Sequence, residues 1–259
     1  MNKFEMKKVI GYLLIAFGVF VHLTLAVVST SDETTVKKRA LAILGDAHHS
    51  VFPQYSAIVR QLQEKGYSTD VILDYNVPFE GLSEYDIVVL SRYAYNDVVL
   101  CKKYRFNFAR GKDNLWLTSK QEQAFEDFVK SGGCLFLHHD GIGFYPKGGA
   151  ISRLAKAYFI THPPVGRITV KPVGHFPELT KGIEPFDVVD EEFVVEMDES
   201  QTGVFLESHS EKNGRFAQGW AHKYGNGKVA VLIPGHDKTV LFHPMTKQCI
   251  RNVIEWLDQ

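Results

Sequence analysis

The sequence predicts an α/β fold: a doubly wound, mostly parallel sheet with an antiparallel β extension in its second half. Three observations predict it. Short runs such as Ala40-Leu41-Ala42-Ile43-Leu44 and Ile87-Val88-Val89-Leu90 are apolar on both faces, the composition of strands covered by helices on both sides. In the first half such runs alternate with helical patterns as β-α-β-β-α-β. In the second half, strand-like runs follow one another through short links.

The elements follow in order. Lys37 to Gly45 is the first strand, and Asp46-Ala47-His48-His49-Ser50 the loop after it. Ile58, Val59, Leu62 and the stop at Gly66 mark a helix. Tyr67 to Leu73 and Asp86 to Leu90 are the next two strands. Residues 92–117 form an aromatic and basic insertion without a period, read as a long loop. Thr118 or Ser119 caps a helix carrying Phe125, Phe128 and Val129, which Gly132-Gly133 ends before the strand Cys134 to Leu137. Arg167 to Val173, Phe186 to Met197, Gly203 to Ser208, Phe216 to Ala221 and Lys228 to Ile233 are the five later strands. Gly225-Asn226-Gly227 marks a hairpin turn. Gln248 to Leu257 closes the chain as a helix with Ile250, Val253, Ile254 and Leu257 on its apolar side.

The first 28 residues read as a targeting segment. Lys3, Lys7 and Lys8 form a basic region, and Val9 to Val28 is an apolar stretch followed by polar residues. This is the pattern of a secretory signal peptide, cleaved after Ala26. Its length also suits an uncleaved anchor that would tether the protein to a membrane. With no Cys after the apolar stretch, a lipoprotein is not expected. Residues 29–37 are a linker, and 38–259 a single domain. The expected location is therefore exported, either periplasmic or secreted.

Composition excludes several classes. The chain has 259 residues, 45% apolar, with a net charge of -1 and no long Lys/Arg run in its body. Nucleic-acid binding needs clustered positive charge and is not expected. The three cysteines, Cys101, Cys134 and Cys249, are widely spaced, which gives neither a disulfide framework nor a zinc motif. There is no G-x-S-x-G or G-x-C-x-G elbow, so a nucleophile of that type is lacking. No P-loop exists, and no G-x-G-x-x-G follows a strand, so no nucleotide cofactor is expected. H-E-x-x-H is absent too, and any metal site must be assembled from distant loops.

The chemistry lies at strand ends. His48-His49 follow the first strand, His138-His139-Asp140 the strand from Cys134, and His236 the strand from Lys228. In an open parallel sheet, ligands bind outside the carboxyl ends of the strands. Imidazole there can carry a proton, a metal or a sugar hydroxyl near neutral pH. Parallel pairing of these strands would bring all three groups to one edge. Thr161-His162-Pro163 and His175-Phe176-Pro177 are rigid turns that aim an imidazole or simply turn the chain. Asp190-Glu191-Glu192 offers a general base, a metal ligand or an ordinary solvated strand start.

Several of these stretches resemble the ThuA-like (trehalose utilisation) family, a branch of the class I glutamine amidotransferase-like superfamily. Gly132-Gly133-Cys134-Leu135-Phe136-Leu137-His138 is similar to the family's Gly-Gly turn, apolar strand and terminal His. Ala157-Tyr158-Phe159-Ile160-Thr161-His162-Pro163, His175 to Ile183, Asp190-Glu191, Trp220 to Gly225 and Gly235-His236 match further motifs in the same order, and His49-Ser50 the His after the first strand. The chain departs from the pattern at His139-Asp140-Gly141, where small residues are usual, at Phe176, and in the 92–117 insertion. The resemblance implies a flavodoxin-like sheet and a role in carbohydrate utilisation, with no amidotransferase Cys nucleophile. It singles out His138 rather than His139. On this basis His49, His138, Glu191 and His236 are the expected catalytic residues, and His162, His175, Trp220 and His222 the expected substrate-binding ones. The expected partner is a small sugar, against which Tyr145, Trp220 and Tyr224 could pack. A divalent metal such as zinc is left open as a cofactor. A non-catalytic sugar-binding module and a metal-dependent hydrolase or lyase are the competing readings.

Overall fold

A computed structural model describes residues 37–97, 114–174 and 176–259. The targeting segment, nearly all of the linker, most of the 92–117 insertion, Cys101 and His175 lie outside the described residues.

Among these residues nine strands form one sheet in the order β2-β1-β3-β4-β11-β10-β9-β6-β7. The strands β1 (Arg39–Leu44), β2 (Ser68–Ile72), β3 (Ile87–Ser91), β4 (Cys134–His138) and β11 (Gly227–Leu232) are mutually parallel. From β11 onward the pairing reverses through β10 (Gly214–Tyr224), β9 (Gly203–Ser210), β6 (Gly166–Pro172) and β7 (Phe186–Asp190). A separate pair joins β5 (Ala157–Thr161) to β8 (Val194–Met197). The doubly wound sheet with its antiparallel extension is thus the observed fold.

Apolar residues on alternate positions of the central strands fill two cores, one on each face. Ala40, Ala42, Leu44 and Phe136 belong to one core, and Leu41, Ile43, Leu135 and Leu137 to the other. The first is covered by α1, which runs as Val51–Gln54, a π-helical turn Tyr55–Val59 and Arg60–Glu64, and by the last helix, Pro244–Leu257. The second is covered by α2 (Ser119–Lys130) and α3 (Ala150–Ala155). Thr118 and Gln121 form the capping box that starts α2: the Gln121 N–H donates to Thr118 Oγ1 at 3.3 Å, and the Thr118 N–H donates to Gln121 Oε1 at 2.9 Å. At the β10–β11 hairpin Gly225 has φ +59°, the left-handed conformation required at the first position of a type II′ turn.

Three sequence expectations need correction. Phe186 to Met197 is not one strand. It breaks after Asp190, and Glu191-Glu192-Phe193 leave the ladder because the last two are held elsewhere: Glu192 accepts from Ser208, Ser210 and Asn213, all at 2.8 Å, and Phe193 is buried in the core. Ala157–Thr161 is a strand as well as a motif, and the Ala150–Ala155 helix before it lies in a segment with too short a period to read. The last helix begins at Pro244, with His243 as its cap through Nδ1, which accepts the Met245 N–H at 3.2 Å. Cys134 and Cys249 are buried, as small core residues should be.

Glu126 of α2 ties three elements together. Arg153 of α3 pairs with it, Lys130 lies at 3.0 Å, and the Tyr224 hydroxyl of β10 donates to it at 2.5 Å. The Arg153 hydrogen bond, opposed by burial and helped by Tyr224 and Lys130, lowers Glu126 from 4.5 to about 2. A carboxylate depressed by folding stabilises the fold above its ordinary pKa, and that stabilisation is lost as pH falls through the folded value. Glu126→Gln should therefore melt below the wild type at neutral pH, with the gap closing between pH 4.5 and about 2. Melting curves across that range check it, and a gap independent of pH would contradict the ion-pair account.

Candidate metal centre

Three parallel strands deliver their carboxyl-end loops to one place. After β1, Asp46 Oδ1 accepts the main-chain N–H groups of His48 and His49, both at 3.0 Å. This Asx turn aims the His49 ring. The same oxygen lies 2.8 Å from His49 Nδ1, and Asp140 Oδ2 lies 3.1 Å from that nitrogen. After β4, His139 takes φ +49°. A left-handed conformation costs a non-glycine residue about 1–2 kcal/mol, and here it turns the ring toward the neighbouring loops. The His139 Nδ1–H donates to the Ile233 carbonyl at 2.7 Å, so a neutral ring carries its lone pair on Nε2. After β11, the N–H groups of Gly235 and His236 donate to Asp190 Oδ2 and Oδ1 at 3.0 and 3.1 Å.

The rings meet around Glu191. His139 Nε2 is 3.5 Å from Glu191 Oε2, and His236 Nδ1 is 3.4 Å from Oε1. His49 Nε2 is 3.2 Å from His236 Nδ1. One ligand atom from each of His49, His139, Glu191 and His236 falls within 4.8 Å of every other. His162 stands at the rim, with Nδ1 3.5 Å from Glu191 Oε1 and its ring stacked on Phe193.

The electrostatics are those of a buried anionic site. Burial disfavours a charged His49, but the charges of Asp140 and Asp46 and their hydrogen bonds outweigh it and lift the imidazole to about 11. The hydrogen bond to Glu191 raises His236 against partial burial. Burial alone would raise Glu191, yet its contacts with His139 and His236 hold it well below the usual carboxylate range. Asp190 is raised by its burial. The buried His139 Nε2 has no hydrogen-bond partner. A buried ring nitrogen without a hydrogen-bond partner, beside a carboxylate and two further imidazoles, suits a divalent cation that takes N and O ligands.

The family model ThuA, described as trehalose utilisation, matches residues 39–257. The chain belongs to the ThuA family. Its fold is similar to that of a ThuA-like protein from Bacteroides uniformis (TM-score 0.64, 16% identity, covering 85% of this chain and 91% of that one). A ThuA-like protein from Parabacteroides merdae is similar too (TM-score 0.65, 13% identity, 85% and 89% covered). So is part of a β-galactosidase from Rahnella sp. R3, of which the match covers 31% while covering 85% of this chain (TM-score 0.57, 11% identity). No curated protein sequence matches.

In this ThuA-family chain, His49, His236 and Glu191 come together as the sequence suggests, and His162 stands beside them. His138 does not join them. It continues the alternation of Cys134 and Phe136, so its fully buried ring faces the core, 3.0 Å from the Ser91 hydroxyl. Burial pushes it down to about 3, and it stays neutral. Gly235 passes directly over this ring, and a Cβ there would lie 2.5 Å from His138 Cε1. Trp220 and His222 face α3 instead of the cluster: Trp220 Nε1–H donates to the Ala155 carbonyl at 2.7 Å, and His222 Nε2 lies 2.9 Å from the Leu154 carbonyl. Tyr145 is likewise buried, its hydroxyl donating to the Arg92 carbonyl at 2.9 Å. His139 was readable as the better candidate only by counting strand parity, because the first residue past the ladder is the one free to turn outward. Asp190 belongs to the Asp190-Glu191 motif, but its partners, the N–H groups of residues 45 and 46 positions away, are not encoded in it, and Asp46 next to His48-His49 carries no motif of its own.

Two histidine variants separate these roles. His138→Ala should destabilise the fold by about 2–4 kcal/mol, through lost packing and a stranded Ser91 hydroxyl. His236→Ala, half-exposed, should change stability by under about 1 kcal/mol. Urea unfolding measures both, and the reverse order would refute the assignment of His138 to the core.

Proposed function

We propose that this ThuA-family protein is an exported carbohydrate-processing enzyme that uses a divalent cation held by His49, His139, His236 and Glu191. Its substrate would be trehalose or a related disaccharide, oxidised keto forms included. The carrying observation is the convergence of four ligand atoms within 4.8 Å on a buried imidazole nitrogen that has no hydrogen-bond partner. Charge supports it as well. Asp46, Asp140, Asp190 and Glu191 are all withdrawn from solvent, and among the described residues no lysine or arginine pairs with them.

The chain's own groups have separable tasks. Asp46 and the Ile233 carbonyl fix the rings of His49 and His139 by holding their Nδ1 protons, which directs both Nε2 atoms inward. Asp190 fixes the main chain from which His236 projects. His162, partly exposed beside Glu191, is placed to exchange a proton with a bound hydroxyl. A bound divalent ion would supply Lewis acidity to a sugar oxygen or a water. Export rests on the basic and apolar N-terminal segment, 1–28.

One observation favours a second reading. The similar part of the Rahnella β-galactosidase is under a third of that chain, so the fold also serves as a module of a larger enzyme. A sugar-binding module would bind trehalose without changing it.

Protein purified without chelator should carry about one equivalent of zinc or a similar ion, and His139→Ala and Glu191→Gln should lose it. Protein that binds no divalent ion in elemental analysis or titration would refute the metal reading. Trehalose and its keto form, incubated with loaded protein and followed by chromatography, separate the enzyme from the module. Proton linkage gives a further test. His49 at about 11 holds an extra proton near neutral pH that a cation must displace, and the upward shift of His236 by Glu191 acts in the same direction. Apparent zinc affinity should therefore rise with pH, up to about tenfold per unit for each proton displaced. Competition titrations at several pH values check this sign. Asp46→Asn, which removes a carboxylate holding the His49 ring, should weaken zinc binding by about 10–100-fold.

A further inference from the structure

A cleft of about 340 Å³ opens on the flank of the cluster where His49 and His236 form its inner wall. That volume is at the lower end for small-molecule sites, enough for a sugar of one or two rings. Ser50, Phe52, Asp237 and Leu241 line the cleft as well. Phe52 is 71% exposed, the most exposed of the large apolar residues described, while its helix neighbours Val51 and Tyr55 pack against the core.

Two polar atoms beside it, the Ser50 hydroxyl and one Asp237 oxygen, make no cap bond. Ser50 occupies the N-cap position of α1, yet its hydroxyl makes no capping bond. Asp237 caps the short helix Lys238–Leu241 through Oδ1 alone, which accepts from Thr239 N at 2.7 Å, Val240 N at 3.2 Å and Thr239 Oγ1 at 2.6 Å. Its other oxygen takes none of these. An aromatic face flanked by a hydroxyl and a carboxylate oxygen matches a pyranose, whose C–H face is apolar and whose rim carries hydroxyl groups. The lining carries both signs of charge, Asp237 against Lys238 and the imidazoles of His49 and His236, which favours a neutral ligand over an ionic one.

We propose that Phe52, Ser50 and Asp237 form the shelf on which a neutral glucoside rests while one of its oxygens reaches the His49–His236 side of the cluster. This assignment rests on the metal-assisted carbohydrate reading and names where that substrate binds.

The test is calorimetric titration of zinc-loaded full-length protein with trehalose, maltose and methyl α-glucoside. Phe52→Ala should weaken sugar binding about three- to tenfold, and Phe52→Trp should restore it. Asp237→Asn keeps an oxygen for the helix cap but turns the free acceptor into a donor, and should also weaken binding. Zinc affinity and melting temperature should match the wild type in all three. Wild-type binding of a sugar with undiminished binding by Phe52→Ala and Asp237→Asn would overturn the shelf and leave the parent reading standing. A wild type that takes up zinc but binds none of the three sugars would overturn the shelf and the sugar assignment together.

Discussion

Burying carboxylates without a strong cationic partner is the constraint on which the rest of this structure depends. Asp46, Asp140, Asp190 and Glu191 are withdrawn from water at one edge of the sheet, and among the described residues imidazoles and main-chain N–H groups, not lysine or arginine, pair with them. An unpaired buried charge costs several kcal/mol, so each carboxylate must be matched within hydrogen-bonding distance. This accounts for the crowding of His49, His139 and His236, which places like-charged rings side by side when they are protonated. Repulsion among the rings and attraction to the acids are therefore two parts of one balance.

The sheet topology makes that balance possible. Parallel strands β1, β4 and β11 end at the same edge, and each releases its imidazole in the loop that follows it. The fourth ligand candidate arrives from the antiparallel half. Asp190 closes β7 and binds the loop after β11, which sets Glu191 among the rings. One side chain thus couples the two halves of the domain, and the break in the ladder after Asp190 is what releases Glu191 from the sheet. A continuous strand from Phe186 to Met197 would have pointed Glu191 wherever strand alternation dictated.

The fold was legible because it rests on period and punctuation. Strands apolar on both faces, helix stops at Gly66 and Gly132-Gly133, and the Gly225-Asn226 turn are all local signals. The site was legible only in part. His49, His236 and Glu191 stood out because loops at strand ends have few other reasons to concentrate imidazoles. His138 stood out as well, but its side of the sheet is decided by alternation with Phe136, and that face is core. Trp220 and His222 occupy inward positions of β10, where α3 claims their polar nitrogens. The roles of Asp46 and Asp190 depend on main-chain contacts between residues 2 and 46 positions apart, and no spacing in the sequence encodes the longer one.

The choice between a cation and unaided acid–base chemistry turns on two ring nitrogens. His49 Nε2 and His236 Nδ1 lie 3.2 Å apart, so a single proton must be shared between them or something else must occupy the space. A general base needs a pKa near the working pH, but His49 is lifted to about 11 by two carboxylates and would keep its proton at neutrality. As a proton acceptor it is therefore poorly tuned. The same carboxylates suit it for a different task, because a ligand imidazole gains basicity when its far nitrogen donates to an acid. Of the two chemistries, metal ligation is the one that uses both the elevated basicity of His49 and the unpartnered nitrogen of His139.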